Sequence, residues 1–372
     1  MNIVLRLPSD ARSSLRVDPL SLIGFTDERH AGNHNQDRLA VAYSAGQGVS
    51  AGWLLALVCD GVGGSSHGER AASLAVASTA LEVAVSRPES SAVDTLRKAL
   101  QLAHGHTAAA FHSKSSTTAV ALLVRGDSAA IGWVGDSRAY QISDGKLTLV
   151  TSDDTLAGAM ARTDSEFKFE LNEEYADRLS QAIGGANPVN ANAISWKPMT
   201  PDASCLLCTD GVWKPTEAVL GTVVDVCREG QELMRRLLLI SDWMGGTDNA
   251  SAILVPPLRA VREFISDPAN ATPRDSVMIC LPGNFQTLIP LQSLKGTAVS
   301  VFPKHRDDRS TDEDVSAPEP KKASTKRRSD SGKTRSKRSP AHSGSQLVIA
   351  EEPLDEAETT PTSTLHSDEA PT

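Results

Sequence analysis

An α+β fold with antiparallel sheets is what this sequence predicts. Short apolar runs follow one another as a meander between positions 120 and 151, and two helical patterns lie side by side between 69 and 112. No regular βαβα alternation runs through the chain, which argues against a doubly wound parallel sheet. Aromatic residues make up only 4% of the 372 residues, so Val, Leu, Ile and Ala must supply most of the core.

The elements are read in chain order. The first twenty residues are polar and are taken as an N-terminal extension, 1–20; the compact domain is taken as 21–256. Strands are expected at 22–26 and 38–43, on either side of His34-Asn35-Gln36-Asp37. Small and apolar residues such as Ala71, Ala72, Leu74, Ala75 and Leu81 recur through 69–86, a tightly packed helix with Pro88 just beyond it. Val93, Leu96, Leu100 and Ala103 give a second helix at 92–112. Strands follow at 120–124, 129–134, 139–142 and 147–151, with Asp127 and Ser143-Asp144-Gly145 as turn residues. A short helix is read at 177–183, a strand at 204–209, a helix at 231–243 and a closing strand at 250–255. Residues 257–303 stay open: runs at 276–281 and 297–302 either extend the core or form an appendage. Blocks of like charge and few apolar residues make 304–372 a disordered charged tail, basic and Ser-rich first, then acidic. Its basic block reads as a nucleic-acid or nuclear signal, or as a solvated linker, the simpler reading.

Composition bounds the function. A net charge of −9 leaves no overall nucleic-acid footprint. No apolar run reaches the roughly 18 residues of a membrane span, and the N-terminus lacks the pattern of a secretory signal. The chain is expected to be a cytoplasmic monomer. Five cysteines, Cys59, Cys205, Cys208, Cys227 and Cys280, are an odd number, and four sit in apolar stretches as small hydrophobes. Cys205 and Cys208 form a C-x-x-C, but an odd offset on a strand puts them on opposite faces.

Chemistry concentrates in the acidic residues. Asp60 follows the run 53–59, Asp136 the run 129–135 and Asp210 the run 203–209. Three times a buried strand ends in Asp-Gly or Asp-Ser. One Asp-Gly alone is only a turn signal. Several carboxylates converging at the mouth of a core need a neutralising partner, and hard divalent cations take carboxylate, carbonyl and water oxygens.

Six segments together carry a resemblance. They are His34-Asn35-Gln36-Asp37, Cys59-Asp60-Gly61-Val62-Gly63-Gly64, Ser116-Thr117-Thr118-Ala119, Gly135-Asp136-Ser137-Arg138-Ala139-Tyr140, Cys208-Thr209-Asp210-Gly211-Val212-Trp213 and Gly246-Thr247-Asp248-Asn249-Ala250-Ser251. In this order they resemble the metal-dependent serine/threonine protein phosphatases of type 2C, over about two thirds of the chain. The resemblance implies a four-layer αββα sandwich of two antiparallel sheets flanked by helices. It implies hydrolysis of phosphoserine and phosphothreonine, the products of a serine/threonine kinase, by water activated between two Mn²⁺ or Mg²⁺ ions. Asp60 would bridge the ions, the Gly61 carbonyl would bind one, Asp210 and Asp248 the other, and Asp37 would reach the site through water. Asp136 would help hold a third, weaker ion, or would order the Ser137-Arg138 turn. Thr117 and Thr118 would be structural.

Three departures accompany the likeness. Gly32 stands where such phosphatases carry a phosphate-gripping Arg; Arg29, His30 or His34 could replace it. Val62 stands where some relatives have a His proposed as general acid. Thr151-Ser152-Asp153-Asp154 replaces the usual Thr-x-Asp-His. A binding protein of the same fold, favoured by Gly32, and a hydrolase of another phosphoester such as a nucleotide are the rival readings. His67, His104, His106 and His112 are read as surface residues.

Overall fold

The computed structural model describes residues 12–29, 34–46, 52–62, 67–162, 173–198 and 200–293. In chain order the elements are β1 (Arg12–Val17), β2 (Leu22–Asp27), β3 (Arg38–Ser44), β4 (Trp53–Cys59), α1 (Gly68–Val85), α2 (Ala92–Phe111), β5 (Ala119–Arg125), β6 (Ser128–Val134), β7 (Arg138–Ser143) and β8 (Lys146–Leu149). Then come α3 (Leu156–Ala161), α4 (Glu173–Ala176), β9 (Asn192–Ser195), β10 (Ser204–Cys208), α5 (Asp210–Thr216), α6 (Leu220–Val226), α7 (Gly230–Trp243), β11 (Ala250–Val255), α8 (Leu258–Ser266), β12 (Ser276–Leu281) and β13 (Phe285–Pro290).

The strands form two antiparallel sheets. One runs β1-β2-β11-β10-β7-β8 and the other β13-β12-β3-β4-β5-β6-β9. Strand periodicity divides the core among three interfaces. In β4, Leu55, Leu57 and Cys59 face α1 and α2, while Leu54, Ala56 and Val58 face the other sheet. That is why β4 reads as an unbroken apolar run: both faces are covered. On the far side, Leu206 and Cys208 of β10 pack against Val212, Leu220, Val223, Leu233 and Leu237 of α5, α6 and α7. Three buried interfaces make four layers, the αββα sandwich. Cys205 and Cys208 do fall on opposite faces of β10, and all five cysteines are free.

Several elements differ from the expectation. β1 pairs with β2 along its whole length and buries Leu15 and Val17. The boundary read at residue 21 therefore falls inside a sheet; the polar residues of β1 are those on the open side of an edge strand. The boundary at 256 falls inside the other sheet, because β12 pairs with β3 and α8 adds Leu258, Val261, Phe264 and Ile265 to the middle interface. Ser276–Leu281 is a strand as read, but its partner is Phe285–Pro290, across the turn of Gly283 and Asn284 with φ of 81° and 54°. The strand expected at 297–302 and the tail at 304–372 lie outside the described residues. No helix forms at 177–183. Its backbone bonds sideways instead: Ile183 and Thr117 exchange N–H···O bonds of 2.8 and 2.9 Å. Tertiary pairing overrides the local helical pattern there. Among the described residues no helix is long and apolar enough to cross a membrane.

Candidate active site

Strand register brings the acidic residues to one end of the sandwich. Arg38 lies opposite Cys59, so Asp37 at the start of β3 and Asp60 at the end of β4 are neighbours. Cys208 lies opposite both Arg138 and Ala252, which puts Asp210, Asp136 and Asp248 together at the same end of the other sheet. The Thr209 hydroxyl crosses between the sheets and donates to Asp37 Oδ2 at 3.0 Å.

Each carboxylate is held by its surroundings. Asp60 is fixed through its backbone: its N–H donates to Thr118 Oγ1 at 3.1 Å, and its carbonyl accepts from Thr117 Oγ1 at 2.7 Å and Thr118 N–H at 2.8 Å. This is the structural role expected of the Thr pair. The Asp37 loop is tied by buried Arg38, which donates to the carbonyls of Asn35 and Asp37 at 2.7 Å each and to Ser73 of α1 at 3.1 Å. Asn249 accepts from Gln36 N–H at 2.8 Å and donates to the Glu28 carbonyl at 2.8 Å, locking the Asp37 and Asp248 loops together. Trp213 Nε1 donates to the Asp136 carbonyl at 3.0 Å.

Two glycines permit the close approach of these segments. A Cβ on Gly61 would lie 2.5 Å from the Gly68 carbonyl carbon, where α1 starts, and one on Gly211 would lie 1.9 Å from the Asn249 carbonyl oxygen.

The electrostatics are those of a crowded anion cluster. Burial, then the charges of Asp37, Asp210, Asp248 and Asp136, pushes Asp60 far above the usual carboxylate range. Burial and then Asp248 raise Asp210. Burial pushes Asp37 up to about 7, with Asp248 and Asp210 adding to it, and pushes Asp136 up to about 7, with Asp210 and Asp153 adding. Asp37 Oδ1 and Asp210 Oδ1 are buried without a hydrogen-bond partner. Two orphaned carboxylate oxygens in a field of like charge fit a cation. Among the described residues no three His, Cys, Asp or Glu side chains close on a single point as a ready-made metal cage. Carboxylate oxygens beside a backbone carbonyl such as that of Gly61 are the kind of donors that Mg²⁺ and Mn²⁺ take, with water completing the shell.

The nearby arginines have other tasks. The Arg29 side chain is fully buried, donating to Ser241 Oγ and, at 3.4 Å, to Asp242 Oδ1. It does not replace the Arg missing at Gly32. Gly32 and His30 lie outside the described residues, and His34 is exposed. Arg138 stacks over Trp213 at 3.3 Å and pairs with Asp153 at 2.8 Å. Asp154 accepts from Gly135 N–H at 3.3 Å and Asn192 Nδ2 at 3.0 Å. The Asp153-Asp154 pair thus fastens the Asp136 turn. His104 is half-buried rather than on the surface and accepts from Gly184 N–H at 3.1 Å; His67 stacks on Phe111.

Residues 26–237 match the protein phosphatase 2C family. The chain belongs to that family. It is 26% identical to the serine/threonine protein phosphatase PstP of Mycobacterium tuberculosis over 225 residues, 59% of this chain. That match spans only 43% of the relative's length. The serine/threonine phosphatase stp of Listeria welshimeri is 26% identical over 240 residues, 62% of this chain and 93% of that one. In fold the chain is similar to the PstP catalytic domain solved with two manganese ions, with a TM-score of 0.51 and 23% identity over 65% of this chain and 97% of that one. Stp1 from Staphylococcus aureus gives a TM-score of 0.54 with 21% identity over 64% and 94%.

For this member of the phosphatase 2C family, the raised carboxylates have a consequence for stability. The ordinary aspartate value is 3.8, while Asp37 and Asp136 lie near 7 when folded and metal-free. The folded state then binds protons more tightly than the unfolded state. The contribution of these two groups to stability is fully present at low pH, below the ordinary aspartate value, and is lost as pH rises through about 7. Melting in EDTA should show Tm falling between about pH 5 and about pH 8, and saturating Mn²⁺ should flatten the trend. A Tm in EDTA that climbs across this window contradicts the clustered carboxylates.

Proposed function

We propose that this chain is a divalent-cation-dependent phosphoprotein phosphatase that hydrolyses phosphoserine and phosphothreonine esters. The observation that carries the reading is the convergence of Asp37, Asp60, Asp136, Asp210 and Asp248, from both sheets, with two buried carboxylate oxygens left unpaired. Asp60 and the Gly61 carbonyl, with Asp37, Asp210 and Asp248, would hold two Mn²⁺ or Mg²⁺ ions, and Asp136 would help hold a third. When bound, these ions supply charge neutralisation, Lewis acidity toward the phosphoryl oxygens and a lowered water pKa.

The protein's own part is placement. Thr117 and Thr118 fix Asp60, Thr209 orients Asp37 across the sheet gap, and Trp213 pins the Asp136 turn. Cys59 and Cys208 lie next to the motifs, but burial raises both thiols, so neither is a competent nucleophile. Water as the attacking group, with no covalent phosphoenzyme, is what the likeness to the family implies. The family and the names of the bacterial relatives support phosphoprotein substrates; that these are products of a serine/threonine kinase is part of the proposal.

The test is phosphate release from a phosphothreonine peptide by the purified protein. Release should require Mn²⁺ or Mg²⁺ and stop in EDTA. Undiminished release in EDTA contradicts the reading; peptide binding without release in Mn²⁺ would favour the binding protein of the same fold.

A further inference from the structure

Arg29 combines two features that each cost free energy. Its backbone is left-handed, with φ of 64°, a conformation that favours glycine. Its side chain has no exposed surface, although a guanidinium is expensive to take out of water. Such residues persist only where their surroundings over-determine them, and they gather at functional sites.

The guanidinium joins the end of β2 to the end of α7. Its Nη2 donates to Ser241 Oγ and its Nη1 to Asp242 Oδ1 at 3.4 Å, both in the last turn of α7. Its Nε lies 3.9 Å from Asp27 Oδ2 at the end of β2, an ion pair without a hydrogen bond. The Arg29 N–H donates to Asp27 Oδ1 at 3.2 Å and closes the turn.

The segment that leads to Asp248 rests on this junction. The chain leaves α7 through Gly245, with φ of 86°, and the Gly246 N–H donates back to the Ser241 carbonyl at 3.1 Å. A Cβ on Gly246 would lie 3.0 Å from Arg29 Nη1 and 2.5 Å from the Ser241 carbonyl oxygen. Asp248 follows two residues later, at most about 7 Å of extended chain. On its other side Asn249 donates to the Glu28 carbonyl at 2.8 Å, and Ala250 pairs with Asp27. The segment is thus tied to the end of β2 twice, by Arg29 before Asp248 and by Glu28 after it. Asp248 needs such a hold. Its charge bears on Asp37, Asp60 and Asp210, and like charges push it away from them until an ion is bound.

We infer that Arg29 is a positioning residue for the metal site, holding the Gly246-Thr247-Asp248 segment against the end of β2 so that Asp248 stays beside Asp210 before an ion arrives. The inference rests on the proposed role of Asp248 as a metal ligand. Arg29 acts through Ser241, Asp242 and Gly246, not by contact with an ion. A ligand already in place loses less freedom when the ion binds, which raises affinity.

The experiment is Mn²⁺ binding followed by EPR, in which the signal of free Mn²⁺ is lost on binding; no substrate is present. The proteins are the parent, Arg29→Gly, Asp248→Asn and the double variant. Glycine accepts the left-handed backbone, so Arg29→Gly removes the guanidinium without adding strain. It should weaken Mn²⁺ binding about tenfold or more in the parent and by about threefold or less in the Asp248→Asn background, where the positioned carboxylate is gone. Ser241→Ala keeps Arg29 and removes its acceptor on α7. It should weaken binding with the same dependence on Asp248, and it decides the matter if Arg29→Gly does not fold. Thermal melting in EDTA checks each variant. A loss equal in both backgrounds, as a general loosening of the fold would give, overturns the inference. So does unchanged binding in Arg29→Gly and Ser241→Ala while Asp248→Asn binds weakly, and in that case only the role of Arg29 falls. If Asp248→Asn itself binds Mn²⁺ like the parent, Asp248 is not a ligand, and the inference falls with that reading.

Discussion

Asp60→Asn should lower Mn²⁺-dependent phosphate release by about a thousandfold or more, since ions in such sites supply several kcal/mol of charge stabilisation and about 4 kcal/mol corresponds to that factor. Asp60 is the carboxylate on which the charges of Asp37, Asp136, Asp210 and Asp248 all bear. Its backbone is held by Thr117 and Thr118 independently of the side-chain charge, so the fold should survive the change. The metal-free variant should also melt higher than the metal-free parent, because one member of a repelling cluster has been neutralised. Activity and metal-free stability thus move in opposite directions. A variant within about tenfold of the parent rate, about 1.4 kcal/mol, is incompatible with Asp60 as the bridging ligand.

Gly211→Ala should damage both the fold and the site. The added Cβ would sit 1.9 Å from the Asn249 carbonyl oxygen and 2.9 Å from its carbon, both backbone atoms that cannot rotate away. The start of α5 and the segment before β11 must separate, and they carry Asp210 and Asp248. Overpacking of this kind costs about 1–3 kcal/mol, which lowers Tm by roughly 3–10 °C in a domain of this size. Turnover should fall further than stability, because misplacing catalytic groups by an ångström can cost about a hundredfold. Gly105→Ala is the matched control. Gly105 lies on α2 with nothing within 4 Å of the added Cβ, and the change there should raise stability by about 0.5–1 kcal/mol. If the two variants melt alike, the close packing of Gly211 against Asn249 is not what shapes the site.

Much of this site was legible in the sequence because its carboxylates end apolar strands. β4, β6 and β10 announce themselves as short runs of Leu, Val, Ile and Ala, and Asp60, Asp136 and Asp210 come directly after them or one or two residues later. The residues that hold those carboxylates in place were harder to see. Thr209 reaches Asp37 across 172 positions, and Asn249 reaches Gln36 across 213; no local pattern encodes such pairings. Thr209 and Asn249 could have been suspected only from their place beside Asp210 and Asp248. The same limit explains the missed elements. β1 is an edge strand with one neighbour, β2, and β9 is a four-residue edge strand on β6, so their half-exposed, partly polar composition reads as loop. At 177–183 the helical pattern was real, but Ile183 found a better partner in Thr117. Arg29, a plausible substitute for the Arg missing at Gly32 by spacing alone, turns out to be buried against Ser241 and Asp242.

The most direct measurement is an anomalous difference map from crystals of the protein grown with Mn²⁺, recorded near the manganese absorption edge. Two peaks are expected flanking the Asp60 carboxylate, one within reach of the Gly61 carbonyl and the other within reach of Asp210 and Asp248. A map with no peak at this cluster, or with manganese held only elsewhere on the molecule, would contradict a shared cation site built from both sheets.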